Sequence, residues 1–480
     1  MKHKAKKLIS LILAILMFIA AFTGCTGGET GAAAFTGTAG KEAGPLKICV
    51  DLGSFREIYD PAWANQKIKG DQHHAMMLFE ADFKAYLQMN GLDPIELEIE
   101  YIPEYIEGGN IERETTISRL RTEIMSGKGP DIFLMGSNDR EIEPLFIVPE
   151  KNMVNGAFLP LNDYIENAEF MEFDKLVPGI MSAGQYDGEQ YILPLTYTMP
   201  LTFYNQDEVH HTASKKMTWE QMLEGEDYLR NAAYAFCPDE DTYLIGPFLL
   251  NSFGQIADYK NDKLLLTEDE LLKRTEELIA LEHERFYSEG TASELPTNWQ
   301  IHLSYGFERF VKWRGVPPES AFFDEETAAE LPPLEDPYTI VPMYSDDGGV
   351  MATILTYAAI NANTKQPEKA FYVLDYLFGL KSQQSSSVFQ LTCVDAIPVH
   401  MDLLQEAYPL TYIGTYNLHE GTYKALREVQ ENITGAAFSN VFFYELDAMY
   451  YKCGYAKRKG ENYEEIVAET YNMLKQIVAE

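Results

Sequence analysis

The chain has 480 residues, of which 46% are hydrophobic and 12% aromatic, and its formal net charge is −36. This length and apolar content predict two or three packed domains and exclude an intrinsically disordered chain. The acidic surplus repels phosphate backbones, and five cysteines without a C-x-x-C pair exclude a disulfide scaffold, so neither a nucleic-acid partner nor a zinc or redox motif is predicted.

A basic segment followed by an apolar one opens the chain. Four lysines lie within residues 2–7, and Leu8–Ala21 is apolar except for Ser10. This pattern is typical of a secretory signal peptide and is too short for a membrane-spanning helix. It ends in Phe22-Thr23-Gly24-Cys25, which resembles the lipobox of bacterial lipoproteins. The resemblance implies cleavage before Cys25 and lipidation of that cysteine.

The next residues support the same interpretation. Residues 26–45 are rich in Gly, Ala and Thr and cannot bury enough surface to fold. We therefore expect a signal peptide over residues 1–24 and a flexible tether over residues 25–45. Acyl chains on Cys25 would hold the protein on the outer face of the bacterial cytoplasmic membrane, with the lipid anchor as its only membrane contact.

Strands and helices alternate along the first folded segment. Hydrophobic periodicity predicts strands over Leu46–Leu52, Ile95–Tyr101 and Asp131–Met135, with helices over 75–90 and 110–127 between them. This order predicts right-handed crossovers and a largely parallel sheet, the arrangement of an open α/β lobe. Further helices are predicted from the capping box Thr267–Glu270 through Leu281, over Glu368–Phe378 and over Tyr463–Val478.

Several segments together resemble the extracellular solute-binding proteins of ABC importers that take up sugars and oligosaccharides. They are Leu120–Ile132 (LRTEIMSGKGPDI), Asn155–Tyr164, Tyr186–Pro194, Phe203–Asn205, Thr218–Glu220, Ala358–Ala370 and Ala396–Val399. They occur in the family's order behind a lipobox and cover residues 46–480, with one poorly matching stretch near 285–345.

The resemblance implies a two-lobe α/β fold of the periplasmic-binding-protein type, with interleaved lobes and a hinge. Lobe one would comprise residues 46–197 and 356–397, and lobe two residues 198–355 and 398–480. The implied function is capture of a carbohydrate by hinge closure and its delivery to the transmembrane subunits of an ABC permease. The resemblance implies no enzymatic activity, cofactor or metal.

The loops after the parallel strands supply the first ligand-binding candidates. In open parallel sheets, ligands lie outside the carboxyl ends of the strands. The loop after the first strand contains Ser54 and Phe55, and the loop after the third contains Ser137 and Asn138. Their hydroxyl, amide and backbone groups can bond ligand oxygens. The glycines that precede them are interpreted as turn residues.

Aromatic and acidic residues supply the remaining candidates, because sugars require flat rings for stacking and polar groups for paired hydrogen bonds. The candidates are Tyr197, Trp299, Trp313, Tyr344 and Asp346. Each tryptophan fits a buried anchor as well as a stacking surface, and a solvated turn is favoured for Asp346 and its neighbour. Asp131 and Trp219 are assigned structural roles, at a turn and beside a helix start.

Motifs for catalysis or cofactor binding are missing from the sequence. G-x-S-x-G, H-E-x-x-H, Walker A and complete G-x-G-x-x-G patterns do not occur. Two alternatives stay open: a binding protein for a peptide or another polar solute, and a secreted glycoside hydrolase that uses two of the 74 acidic residues. Cys49 is predicted to be a buried thiol, whereas a disulfide among Cys237, Cys393 and Cys453 is left open.

Overall fold

The structure is a computed structural model of the chain. It describes residues 44–52, 58–59, 67–68, 72–103, 110–136, 143–204, 216–225, 229, 246–287, 299–301, 339–385, 397–404, 420–438 and 441–479. Cys25, Ser54, Phe55, Ser137, Asn138 and Trp313 lie outside these ranges. Within them, no helix combines the length and the apolar character needed to cross a bilayer.

The described part of the chain mixes strands and helices throughout. The strands are β1 (Leu46–Asp51), β2 (Ile58–Tyr59), β3 (Lys67–Ile68), β4 (Leu97–Tyr101), β5 (Ile132–Gly136), β6 (Gln185–Tyr186), β7 (Glu189–Gln190), β8 (Ile192–Thr198), β9 (Leu201–Tyr204), β10 (Ala257–Asp258), β11 (Lys263–Leu264), β12 (Trp299–Ile301), β13 (Thr339–Pro342), β14 (Val350–Ile360), β15 (Ile397–Pro398) and β16 (Ile433–Phe438). The helices are α1 (Gln72–Met89), α2 (Ile111–Met125), α3 (Pro149–Val154), α4 (Asn162–Ile165), α5 (Pro178–Met181), α6 (Trp219–Leu223), α7 (Gly246–Phe253), α8 (Glu268–Tyr287), α9 (Pro367–Phe378), α10 (Leu380–Ser385), α11 (Glu420–Glu431), α12 (Val441–Lys459) and α13 (Glu464–Ala479).

A seven-stranded sheet combines strands from residues 46–198 with strands from residues 350–438. Its strand order is β15-β8-β14-β5-β1-β4, with β16 also paired to β14. β1 lies parallel to both β4 and β5, as the alternation of strands and helices predicts. β14 is antiparallel to β5 and β8 along its second half and parallel to β16 along its first half. The parallel strands β4, β1 and β5 therefore share a carboxyl edge with β8.

Apolar side chains on both faces explain why β1 and β5 are interior strands of this sheet, each paired on both sides. In β1 every residue except Lys47 is buried, and all five residues of β5 are buried. Helices α1 and α9 contribute an aromatic cluster, in which the Tyr376 ring lies 5.1 Å from Phe83, 5.0 Å from Tyr86 and 5.4 Å from Phe170. Such ring pairs stabilise a core beyond their area of burial.

Helix starts follow the capping signals of the sequence. The Thr267 hydroxyl accepts from the Glu270 backbone N–H at 3.3 Å, and the Glu270 carboxylate accepts from the Thr267 N–H at 2.8 Å, so the predicted capping box begins α8. Thr218 forms a capping box with Gln221 at the start of α6, and the adjacent Trp219 is fully buried. Both structural interpretations are confirmed.

Asp131 also has the structural role that its position predicts. Its carboxylate accepts from the Lys47 backbone N–H at 2.9 Å and from the Thr364 hydroxyl at 2.5 Å. It lies directly before β5, at the amino end of the strand. The side chain therefore links three segments of the sheet at the end away from the predicted ligand loops.

The strands of a smaller sheet come between β8 and β14 along the chain. β9 lies between β12 and β13, antiparallel to both, and only residues 199–200 separate it from β8 of the larger sheet. Trp299 begins β12 and pairs with Phe203. The sequence predicted an irregular stretch there, because three residues are too few to show periodicity.

Candidate functional site

The carboxyl edge of β1 and β5 is the place where the sequence predicts ligand contacts. Asp51 pairs with Met135 in the sheet register, and Leu52 and Gly136 close the described parts of the two strands. The backbones approach closely there, since a Cβ atom on Gly136 would lie 2.3 Å from the Leu52 carbonyl oxygen. The candidates Ser54, Phe55, Ser137 and Asn138 follow immediately along the chain, outside the described residues.

A buried ion pair fixes this edge. The Arg113 guanidinium donates to both carboxylate oxygens of Asp51, at 3.1 and 2.7 Å, and the two side chains are each 4% exposed. The same guanidinium donates to the carbonyls of Pro103 and Glu143, at 2.9 and 3.1 Å. One side chain of α2 thus ties together the end of β1, the exit from β4 and the segment that follows β5. These are the segments that flank the predicted ligand loops.

Two further polar contacts continue across the edge. The Gln72 side-chain oxygen, buried at the start of α1, accepts from the Leu52 N–H at 3.2 Å. On the other side of β5, the hydroxyls of Thr196 and Thr356 lie 2.6 Å apart and buried, and Thr356 is opposite Gly136 in the register. The edge is therefore held by several buried hydrogen bonds, which support the loops that follow it.

Sequence reasoning missed Asp51, Arg113 and Gln72. One signal was present: Arg113 occupies an inward helical position, four and seven residues before the buried Ile117 and Leu120. A charge on an apolar helix face requires a buried partner. Asp51, the acidic residue within the apolar strand Leu46–Leu52, was the available partner.

Two aromatic candidates lie inside the body of the protein. Tyr197 is fully buried; its hydroxyl accepts from the Gln430 amide at 2.7 Å, and burial raises its pKa well above the ordinary value. Tyr344 is also fully buried. In this arrangement neither ring is exposed. Tyr197 packs against Gln430, which is distant in the sequence.

Asp346 lies in an exposed turn, as the sequence favoured, and it also forms an ion pair. The Arg274 guanidinium donates to its two carboxylate oxygens at 2.7 and 2.9 Å. The guanidinium carbon lies 5.3 Å from the Trp219 ring and 4.9 Å from the Phe253 ring. Asp346 thereby anchors its loop to α8, and a role in ligand binding would compete with this bidentate contact.

A cavity of about 370 Å³ lies elsewhere, against β14 and β16. Its walls come from α3, from the segment 182–187, from the segment 250–260 and from residues 434–437. The wall segments belong in part to each of the two predicted lobes. Among the described residues no group of His, Cys, Asp and Glu is arranged to hold a metal ion.

Glu150 is a carboxyl group in the wall of this cavity whose pKa is raised. Its Oε2 atom is buried without a hydrogen-bond partner, and burial raises the pKa of its carboxyl to about 7 from the ordinary value of 4.5. The neighbouring Tyr259 and Tyr357 offer no counter-charge, and the repulsion from a charged Glu150 adds to the raised pKa of each. Near neutral pH this carboxyl is therefore partly protonated.

This protonation makes folding stability depend on pH. The folded chain keeps the Glu150 proton where the unfolded chain has lost it, so the stabilisation is complete below pH 4.5 and is lost as the pH rises through about 7. The contribution of this group to the free energy of unfolding is expected to fall by about 2–3 kcal/mol between pH 5 and pH 8. Denaturant unfolding at pH 5, 6, 7 and 8 measures it. Glu150→Gln should lose that part of the slope, and an identical slope in the variant would contradict the prediction.

The chain is similar to known proteins in part of its sequence and in its fold. Residues 106–281 match the family model described as bacterial extracellular solute-binding protein. A comparison with curated proteins gives no match. Among solved structures, an extracellular solute-binding protein family 1 from Alicyclobacillus acidocaldarius subsp. acidocaldarius DSM 446 is similar, with 14% identity, a TM-score of 0.51, and coverage of 92% of this chain and all of that one. The sugar-binding protein MalE from Xanthomonas citri is similar with 11% identity, a TM-score of 0.52, and coverage of 91% of this chain and 98% of that one.

The resemblance to extracellular solute-binding proteins is confirmed by these findings. At such low identities the structural neighbours establish the fold. The chain has the α/β, two-lobe architecture of the periplasmic-binding-protein type.

Proposed function

We propose that the chain is a lipid-anchored substrate-binding protein that captures a carbohydrate of the oligosaccharide class by hinge closure and delivers it to an ABC permease. The observation that carries the proposal is the carboxyl edge of the larger sheet. Its strands end in a rigid polar support at Asp51, Gly136 and Thr196, and two residues after β8 the chain enters a second sheet. The family match and the sugar-binding neighbour support the choice of a carbohydrate.

The hinge would lie where strands pass between the predicted lobes. These passages are residues 196–200, the middle of β14 near Thr356, and the segment that follows β15 at Pro398. β14 has a register irregularity between Thr356 and Tyr357, which fits a strand that bends between two bodies. A ligand bridging both lobes contacts them fully only in the closed state and therefore shifts the population toward it.

The proposed ligand contacts follow from this placement. Ser54, Phe55, Ser137 and Asn138 would bind from the loops after β1 and β5. Trp299 and Trp313 would supply stacking surfaces from lobe two, a role suited to the C–H faces of sugar rings. Tyr197 and Tyr344 are buried, and the exposed Asp346 is paired with Arg274, so these three would join only after rearrangement.

Calorimetric titration with a panel of mono- and oligosaccharides, combined with small-angle X-ray scattering, tests the proposal. We expect a bound sugar to give a saturable heat and a smaller radius of gyration. Peptides and other polar solutes form a second panel, and chromogenic glycosides a third. Binding confined to the second panel would overturn the carbohydrate assignment, and glycoside turnover would overturn the assignment as a binding protein.

The proposed anchor has its own test. Cys25→Ser removes the sulfur that would be lipidated and is expected to move nearly all of the protein from the membrane fraction to the medium. Cys49→Ser is the matched control, because Cys49 is a buried thiol of β1 and should leave the location unchanged. Membrane retention of the Cys25→Ser protein would contradict the anchor.

A further inference from the structure

Two hairpin turns form ion pairs with lysines near the 370 Å³ cavity, which Asp187 and Lys260 line. Asp187 lies between β6 and β7, and its two carboxylate oxygens are 2.7 and 2.9 Å from the Lys260 ammonium. Asp262 lies between β10 and β11 and forms an ion pair with Lys151 of α3. The Lys151 ammonium also donates to the Val478 carbonyl at 2.9 Å. Each predicted lobe thus supplies one lysine and one aspartate to a crossed arrangement.

Both aspartates have an unusual backbone conformation. Asp187 has φ 50° and Asp262 has φ 51°, and they are the non-glycine residues with positive φ in the described part of the chain. This left-handed region costs free energy for side chains other than glycine, although aspartate and asparagine tolerate it best. A turn that needed only the conformation could use glycine, as the next residue, Gly188, does at φ 85°. What aspartate supplies in these two turns, and glycine would not, is therefore the carboxylate of the ion pair.

The turn that carries Lys260 is itself fixed. The Asp258 carboxylate accepts from the backbone N–H groups of Lys260 at 3.1 Å and Asn261 at 3.2 Å. The hydrogen bond that the Lys260 ammonium donates to Asp187 raises the pKa of Lys260, so the ammonium stays charged. The cavity lies beside the pairs, between wall segments of the two predicted lobes. The ion pairs add charged contacts between the two predicted lobes there.

We infer that Lys151, Asp187, Lys260 and Asp262 form a latch that stabilises the lobe arrangement seen in this structure and opens when the lobes move. The inference rests on the proposed hinge motion. It adds that these ion pairs affect the equilibrium between the two lobe arrangements. Because the pairs are partly exposed, each is expected to change the ratio of the two arrangements by about two- to fivefold. High salt should have the same effect as removing the carboxylates, since it screens exposed pairs.

Distances between spin labels on the full chain test the latch. Labels introduced as non-canonical amino acids at the exposed residues Glu112 and Glu469 report the separation of the two predicted lobes. Asp187→Asn and Asp262→Asn remove each charge while keeping a residue that tolerates positive φ. Glu80→Gln is the matched control: it removes the same charge from the Lys84–Glu80 pair, which lies within α1.

The double asparagine variant should lower the ratio of the original lobe arrangement to the other arrangements by about four- to twenty-five-fold. The same change should appear in the unaltered chain at 1 M salt, and the Glu80→Gln chain should match the unaltered one at low salt. Equal distance distributions in the double variant and the control would overturn the latch. That result is independent of the sugar titrations, whose failure would instead count against the proposed function.

Discussion

Replacing Arg113 by methionine is expected to lower the free energy of unfolding by about 3–5 kcal/mol. The substitution leaves the Asp51 carboxylate, itself 3% exposed, without its counter-charge inside the protein. It also removes the donor that the carbonyls of Pro103 and Glu143 share. Denaturant unfolding of the variant and of the unaltered chain measures the loss.

A matched control lies on the same helix. Arg119 pairs with Glu100 and Glu123 at the surface, so Arg119→Met should cost no more than about 1 kcal/mol. Replacing both buried partners, as Asp51→Leu with Arg113→Met, should recover part of the loss, because no unpaired charge remains. If Arg113→Met proved as mild as Arg119→Met, the ion pair would not be what holds the edge together.

Replacing Gly136 by alanine is expected to cost about 3 kcal/mol and to weaken ligand binding as well. The new Cβ would lie 2.3 Å from the carbonyl oxygen of Leu52 and 2.8 Å from its Cα, so the backbones of β1 and β5 must separate. The loops with Ser54 and Ser137 begin at that point. Denaturant unfolding measures the first effect, and titration with whichever sugar the panel identifies measures the second.

Gly454 provides the contrast. It lies within α12, and an added Cβ there would have no heavy atom within 4 Å. Gly454→Ala should therefore stabilise the chain by up to about 1 kcal/mol through helix propensity. A Gly136→Ala protein as stable as the Gly454→Ala one would show that the edge adjusts without strain.

Local signals in the sequence were sufficient for the elements that depend on local physics. The strands at Leu46 and Ile132 carry apolar residues on both faces, and α8 starts with a capping box whose two hydrogen bonds involve residues only three apart. The structural roles of Asp131 and Trp219 followed from a turn before a strand and from a helix start. The two-lobe arrangement came from the family resemblance, since periodicity does not encode how distant segments assemble.

The support of the candidate site depends on pairings that no local pattern contains. Asp51 and Arg113 are 62 residues apart, and Arg274 and Asp346 are 72 residues apart. Tyr197 is covered by Gln430, which lies 233 positions along the chain. Burial of a polar residue depends on which partner the fold brings to it, so the sequence favoured an accessible ring at Tyr197. The exposed turn at Asp346 was predicted, but its ion pair with Arg274 was not.

The position of β14 in the larger sheet also constrains the order of biosynthesis. β5 and β8 are complete by residue 198, yet the strand that lies between them spans Val350–Ile360, and its other neighbour ends at Phe438. A nascent chain that has emerged only as far as residue 349 carries two unpaired strand edges, which are sites of aggregation. The sheet can therefore be completed only after residues 350–438 are available to fold.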